Sequence, residues 1–215
     1  MALPLPFPLY ITALTETKGF PGAIPATVSY SIIADNQFSM IMKAKSQDKK
    51  ATPWRYLKLE TPIKGQFYTV VDTELIPTVQ TLSARGTAYD FTEEYCELKP
   101  VGKRITLLPN EYDINYVIDG YTDAKTPMRM VANLQDEKTG IRMDLNSNAP
   151  GLQFYTANKL NDVKGKGGAV YKKHAGLCLE TQWYPDFPNH PAFPQSIVEG
   201  GKVYRHEMMF NFTYV

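Results

Sequence analysis

Glu180 lies near the end of a run, Ala175-Gly176-Leu177-Cys178-Leu179-Glu180-Thr181-Gln182, in which apolar residues alternate with small or polar ones. Read as a strand, the run puts Leu177 and Leu179 on one face and Gly176, Cys178 and Glu180 on the other. Small neighbours leave space beside the carboxylate, and Trp183-Tyr184 follow at once. A carboxyl group in a hollow flanked by aromatics loses solvation, which raises proton affinity and suits general-base work near neutral pH. Aromatic faces beside carboxylate and amide groups also suit a sugar. The plain alternative is a solvated surface glutamate at a strand end.

The other chemistry-bearing residues form no recognisable catalytic pattern. His174, His190 and His206 are not spaced as metal ligands on one element, nor do they belong to a Ser/His/Asp arrangement. Gly165-Lys166-Gly167-Gly168 lacks the Gly-Lys-Ser/Thr ending of a nucleotide-binding loop and reads as a loop between strands. Pro185, Pro188, Pro191 and Pro194 recur at the polyproline II period, but Phe187 and Phe193 between them favour a stiff loop packed on the body of the domain. Asp113, just before the apolar stretch Tyr116-Val117-Ile118, could be no more than a turn residue.

The elements that must position these residues follow a period of two. Val28, Tyr30 and Ile32 alternate with polar neighbours, Asp35-Asn36 turns the chain, and Phe38, Met40 and Met42 resume, which predicts a hairpin. Met130, Ala132 and Leu134 lead through Asp136-Glu137-Lys138-Thr139-Gly140 into Ile141, Met143 and Leu145, a second hairpin. Tyr204, His206, Met208, Phe210, Phe212 and Tyr214 share one face of a long final strand. No window of ten or more residues carries a 3.6 period, so the expectation is one all-β domain, an antiparallel sandwich or barrel.

Composition narrows the class further. The chain has 215 residues, enough for one self-sufficient core, with 43% hydrophobic and 12% aromatic content. Lys and Arg total 23 and Asp and Glu 22, so the net charge of +1 gives no electrostatic footprint for nucleic acid or an anionic membrane. No stretch approaches the ~20 apolar residues of a membrane helix. Two cysteines, Cys96 and Cys178, predict a reduced, cytoplasmic setting. The start, Met1 to Leu9, carries three prolines and no basic residue, unlike a secretory signal.

The stretch from Gly151 to Phe212 resembles the C-terminal part of the aldose 1-epimerase (galactose mutarotase) family. The matching runs are Pro150-Gly151-Leu152-Gln153-Phe154-Tyr155-Thr156, Gly165-Lys166-Gly167-Gly168-Ala169-Val170-Tyr171 and Gly176-Leu177-Cys178-Leu179-Glu180-Thr181-Gln182. Pro185-Asp186, Asn189-His190-Pro191 and Tyr204-Arg205-His206 continue the series. Earlier, Gly19-Phe20-Pro21-Gly22, Ala51-Thr52-Pro53, Val71 to Thr78 and Gly86 to Phe91 are similar to the family in the family's order. The resemblance therefore divides the chain into an unmatched segment, 1–18, and a mutarotase-like domain, 19–215. It implies an antiparallel β-sandwich of the galactose mutarotase-like supersandwich type, truncated. It also implies interconversion of the α and β anomers of a free monosaccharide, by acid–base chemistry without metal or organic cofactor.

By the same resemblance Glu180 matches the general base, Gln153 a sugar-hydroxyl ligand and Asp113 a sugar-binding aspartate, although Ile114 stands where the family has a histidine. The family's Asn-His-Ser run, which carries the general acid, does not follow Ala51-Thr52-Pro53, and its N-terminal third has no counterpart. His190 and His174 are the available substitutes. Three readings stand at this point: an epimerase with activity lowered by the missing acid, a non-catalytic carbohydrate-binding relative, and an inactive truncated product. A sandwich short of strands is expected to be a monomer or to self-associate weakly through exposed edges.

Overall fold

A computed structural model of the chain describes residues 7–13, 24–45, 50–51, 63–92, 100–123, 125–136 and 139–214. Alternating β-branched and aromatic residues fold into strands, and Gly, Asn and Asp close the turns between them. The first predicted hairpin is β2 (Ile24–Ala34) and β3 (Gln37–Lys45), joined by Asp35-Asn36 with Asn36 at a φ of 61°. Asparagine tolerates that left-handed conformation better than most residues. β1 (Phe7–Ala13) adds to the free side of β2. The family-like turn at Gly19-Phe20-Pro21-Gly22 and residues 52–62, which include Thr52-Pro53, lie outside the described residues, as does Cys96.

The second hairpin, β8 (Arg129–Asp136) and β9 (Ile141–Ser147), differs from expectation in one respect. Its register shifts between Met130 and Ala132, so Val131 is an extra residue and the alternation breaks there. Ala132 and Leu134 oppose Leu145 and Met143, whereas Met130 pairs with Asn146 and is exposed rather than core-facing. The final strand, β15 (Val203–Tyr214), follows its predicted pattern, with His206, Met208 and Phe210 buried. It joins the two hairpins into a six-stranded sheet of order β1-β2-β3-β15-β9-β8.

A five-stranded antiparallel sheet faces it. Its members are β5 (Phe67–Val71), β6 (Pro77–Ser83), β7 (Asp113–Val117), β10 (Gly151–Tyr155) and β13 (Cys178–Gln182), in the order β13-β10-β7-β5-β6. One apolar cluster fills the space between the sheets. Met40, Met143, Leu145 and Met208 come from one side, and Tyr116, Leu152, Phe154 and Leu179 from the other. Two small ladders complete the described strands: β4 (Lys50–Ala51) with β14 (Val198–Glu199), and β11 (Val163–Lys164) with β12 (Val170–Tyr171). The Gly165–Gly168 run turns the second of these, and the proline-rich loop forms a short 3-10 turn, Phe187–Asn189, with Phe193 buried against Tyr184. No helix among the described residues is long and apolar enough to cross a membrane.

Candidate active site

The five-stranded sheet shows one face to the core and keeps a polar row on the other. Because paired antiparallel residues point the same way, register alone assembles that row. Glu180 on β13 is opposite Gln153 on β10, and Gln153 is opposite Asn115 on β7. Leu179 and Leu152, one step away along their strands, point into the core instead. Asp113 begins β7 two residues before Asn115, and Gln182 ends β13 two residues after Glu180, so both share the polar face. Asp113 is thus a strand residue, and Glu180, 5% exposed, is a buried carboxylate rather than a solvated one.

Hydrogen bonds tie the row together. Gln153 Nε2 donates to Asp113 Oδ1 at 2.9 Å, while Gln182 Nε2 donates to Asn115 Oδ1 at 3.1 Å and lies 3.3 Å from Gln153 Oε1. The bond from Gln182 fixes the Asn115 amide with its nitrogen pointing the other way. That nitrogen is buried and has no hydrogen-bond partner among the described residues. Gly151, beside Asn115 on β10, permits the arrangement. A Cβ there would come within 2.6 Å of Asn115 Oδ1 and 3.0 Å of the Tyr184 ring.

A cavity of about 230 Å³ opens beside Gln153 and Asn115, lined also by Thr69, Glu74, Asp113 and Lys159, whereas Glu180 is not part of its lining. A larger hollow, about 460 Å³, shares Leu75, Pro77 and Pro185 with it and is walled by Trp183, Tyr184 and Phe187. The smaller space offers carboxylates, amides and one ammonium group, a donor and acceptor set that matches a polyhydroxylated ligand. Lys159 Nζ lies 3.8 Å from Asp113 Oδ2.

None of the three histidines lines the smaller cavity, but His206 lines the larger hollow. His174 Nδ1 is 2.9 Å from the Thr156 carbonyl oxygen, with Nε2 3.6 Å from Glu111. His190 Nε2 contacts the Pro77 carbonyl oxygen at 3.1 Å and Asp186 at 3.3 Å. Neither of these candidate acids lines the smaller cavity. His206 is buried between the sheets, 2.8 Å from Thr181 Oγ1, and burial pushes its pKa down to about 4, leaving a neutral ring. Among the described residues no three His, Cys, Asp or Glu side chains come together as a metal site.

Asn115, Gln182, Gly151 and Lys159 were not singled out in the sequence. For two of them the signal was there: Asn115 and Gln182 stand at i+2 from Asp113 and i+2 from Glu180, on the same strand faces. Lys159, on a loop, had none.

Comparison with known proteins agrees with this architecture. The family model for aldose 1-epimerase matches residues 8–211. The chain is 32% identical to human galactose mutarotase over 91% of its own length and 59% of that relative's. It is 28% identical to aldose 1-epimerase of Escherichia coli K12, over 83% of itself and 55% of the relative. It therefore spans less than two thirds of the curated relatives it matches. The crystal structure of the GalM/aldose epimerase homologue from C. elegans superimposes with a TM-score of 0.82 at 25% identity, covering 100% of this chain and 67% of that one. Galactose 1-epimerase from Lactobacillus acidophilus shares the fold, with a TM-score of 0.75 at 19% identity over 97% of this chain and 63% of that one. On the family match and the shared fold together, the chain belongs to the aldose 1-epimerase family.

Proposed function

We propose that this chain interconverts the α and β anomers of a free hexose such as galactose or glucose. Glu180 takes the proton from the anomeric hydroxyl, the C1–O1 double bond forms as C1–O5 breaks, and a proton reaches O5. Rotation about C1–C2 and closure on the opposite face give the other anomer, with the proton returned. Gln153 and Asp113 hold sugar hydroxyls. The steps are proton transfers and one reversible C–O cleavage, so the reading calls for no cofactor.

The observation that carries the reading is the buried row Glu180–Gln153–Asn115, paired strand to strand, of which Gln153 and Asn115 line a cavity. Asp113, the Gln153 amide and the Asn115 nitrogen, a donor with no hydrogen-bond partner among the described residues, converge there, a donor and acceptor set suited to a ring-closed sugar. Two cysteines support a cytoplasmic setting. Val79 and Leu82, exposed on the edge strand β6, support weak self-association through that edge.

Polarimetry on freshly dissolved α-D-galactose and α-D-glucose tests the assignment. The protein is expected to hasten the approach to equilibrium at micromolar concentration, and Glu180→Gln to lower the catalysed rate by roughly 10²–10⁴-fold. A spontaneous rate left unchanged by the unaltered protein overturns the enzyme reading. The absence of all three histidines from the lining of the smaller cavity favours a second reading, a carbohydrate-binding relative without turnover. Its sign would be heat of sugar binding in calorimetric titration with no change in anomerisation rate.

A further inference from the structure

The turn that joins β5 to β6, Asp72 to Ile76, places a leucine where the backbone does not favour one. Leu75 adopts a φ of 64°. Hairpin turns ordinarily put glycine or asparagine at a left-handed position, because a Cβ there crowds the following carbonyl oxygen. A bulky side chain such as leucine is among the least suited to it.

The conformation is held firmly. Asp72 Oδ1 accepts hydrogen bonds from the backbone N–H groups of Glu74 and Ile76, each at 2.9 Å. The Leu75 N–H donates to the Asp72 carbonyl oxygen at 3.1 Å, and the Asp72 N–H to the Ile76 carbonyl oxygen at 2.9 Å. Pro77, which with Leu75 and Pro185 borders both cavities, is tied to the loop that follows Pro185. A carbonyl oxygen carries no proton, so His190 Nε2 donates to Pro77 at 3.1 Å.

The core does not account for this leucine. Among the described residues, Leu75 belongs neither to the apolar cluster between the sheets nor to the partly buried residues packed against it. It is half-buried all the same, and it lines both the cavity of about 230 Å³ and the hollow of about 460 Å³. In the smaller space it stands with Val71, Pro77 and Pro185, the apolar part of a lining whose polar part includes Asp113, Asn115 and Gln153. A pyranose is divided in the same way, with hydroxyls round its edge and C–H groups across its faces. Side chains of the polar row can meet the hydroxyls, whereas the C–H faces gain from apolar contact. Backbone strain that the core does not need, on the wall of a cavity, is where strain held for a ligand is found.

We propose that Leu75 is a sugar-binding residue, held by a strained and clamped turn so that it covers a C–H face of the ring bound beside Gln153 and Asn115. Its ligand is the sugar of the proposed anomerisation, so the role rests on that reading, but it depends on neither proton transfer.

Two measurements on the full chain test this role: calorimetric titration with D-galactose, and urea unfolding without sugar. Leu75→Ala removes the side chain and keeps the strain, whereas Leu75→Gly removes both. Each is expected to weaken galactose binding roughly tenfold. Leu75→Gly is nevertheless expected to unfold at a higher urea midpoint than Leu75→Ala. That reverses the order at an ordinary position, where the freedom of glycine in the unfolded chain lowers stability. Leu75→Met keeps an apolar side chain of similar size and is expected to bind within about threefold of the unaltered protein. A dissociation constant unchanged in both Leu75→Ala and Leu75→Gly overturns the proposal, as does a Leu75→Gly midpoint at or below that of Leu75→Ala. Where the unaltered protein binds galactose and hastens its anomerisation, either result removes only the role of Leu75. Where the unaltered protein does neither, the proposed function falls and the role of Leu75 with it.

Discussion

A buried amide has given up its hydrogen bonds to water, and stability returns only where protein or ligand atoms replace them. Asn115 is 2% exposed, its oxygen is satisfied by Gln182, and its nitrogen has no hydrogen-bond partner among the described residues. A sugar hydroxyl or ring oxygen entering the cavity would supply the missing acceptor. Asn115→Asp tests this with almost no change of shape: it keeps an oxygen for Gln182 and turns the unmet donor into an acceptor. It also adds a charge beside Asp113 and Glu180, which disfavours the ionised forms of all three. Sugar affinity is expected to fall by roughly tenfold or more, about 1.4 kcal/mol, in calorimetric titration. An unchanged dissociation constant would mean that this nitrogen does not face the ligand.

Strands, not single residues, bring the row into line, and Gly151 is where their tolerance is smallest. Gly151→Ala is expected to destabilise the protein by about 1–3 kcal/mol, since its Cβ would press on Asn115, Tyr184 and the Gln182 carbonyl oxygen together. Gly102→Ala, where nothing lies within 4 Å of the added carbon, is expected to stay within about 0.5 kcal/mol. Urea titration reads both: a lower midpoint with an unchanged slope for the first, little shift for the second. The strands themselves were legible in the alternation of Val28 to Met42 and of Tyr204 to Phe210, because one buried face imposes a strict period of two. The side of β13 that carries Glu180 was legible for the same reason. The bulge at Val131 was not, because an extra residue leaves composition unchanged and alters only register. Nor was the order β13-β10-β7, which places Asp113 near Gln153 across 40 residues of chain; local pattern carries no information about such pairings. Lys159 escaped because a loop has no period to read.

At the scale of the whole molecule, the two sheets are joined near the site by a polar contact as well as by apolar packing. His206 of β15 meets Thr181 of β13 at 2.8 Å, with the Trp183 and Tyr204 rings alongside and Ser147 Oγ at 3.5 Å. Thr181 directly follows Glu180, so this contact helps set the strand that carries the proposed base. Burial lowers the pKa of His206 from 6.5 to about 4, and the charge of Glu207 opposes that only weakly. Above pH 6.5 the ring is neutral in both folded and unfolded chains, and its contribution is complete. Between pH 6.5 and 4 the unfolded chain takes up a proton that the folded one refuses, so stability falls with falling pH. Below pH 4 both forms are protonated and the loss levels off. At 1.36 kcal/mol for each tenfold difference in proton affinity, the whole loss is about 3 kcal/mol. His206→Asn cannot titrate in this range. It is expected to be less stable than the unaltered protein at pH 7, through loss of packing and of the Thr181 contact, yet to have a flatter dependence on pH between 6.5 and 4. Urea unfolding of both proteins across that interval measures the difference in slope, and parallel curves would mean that the buried ring does not couple the two sheets to pH.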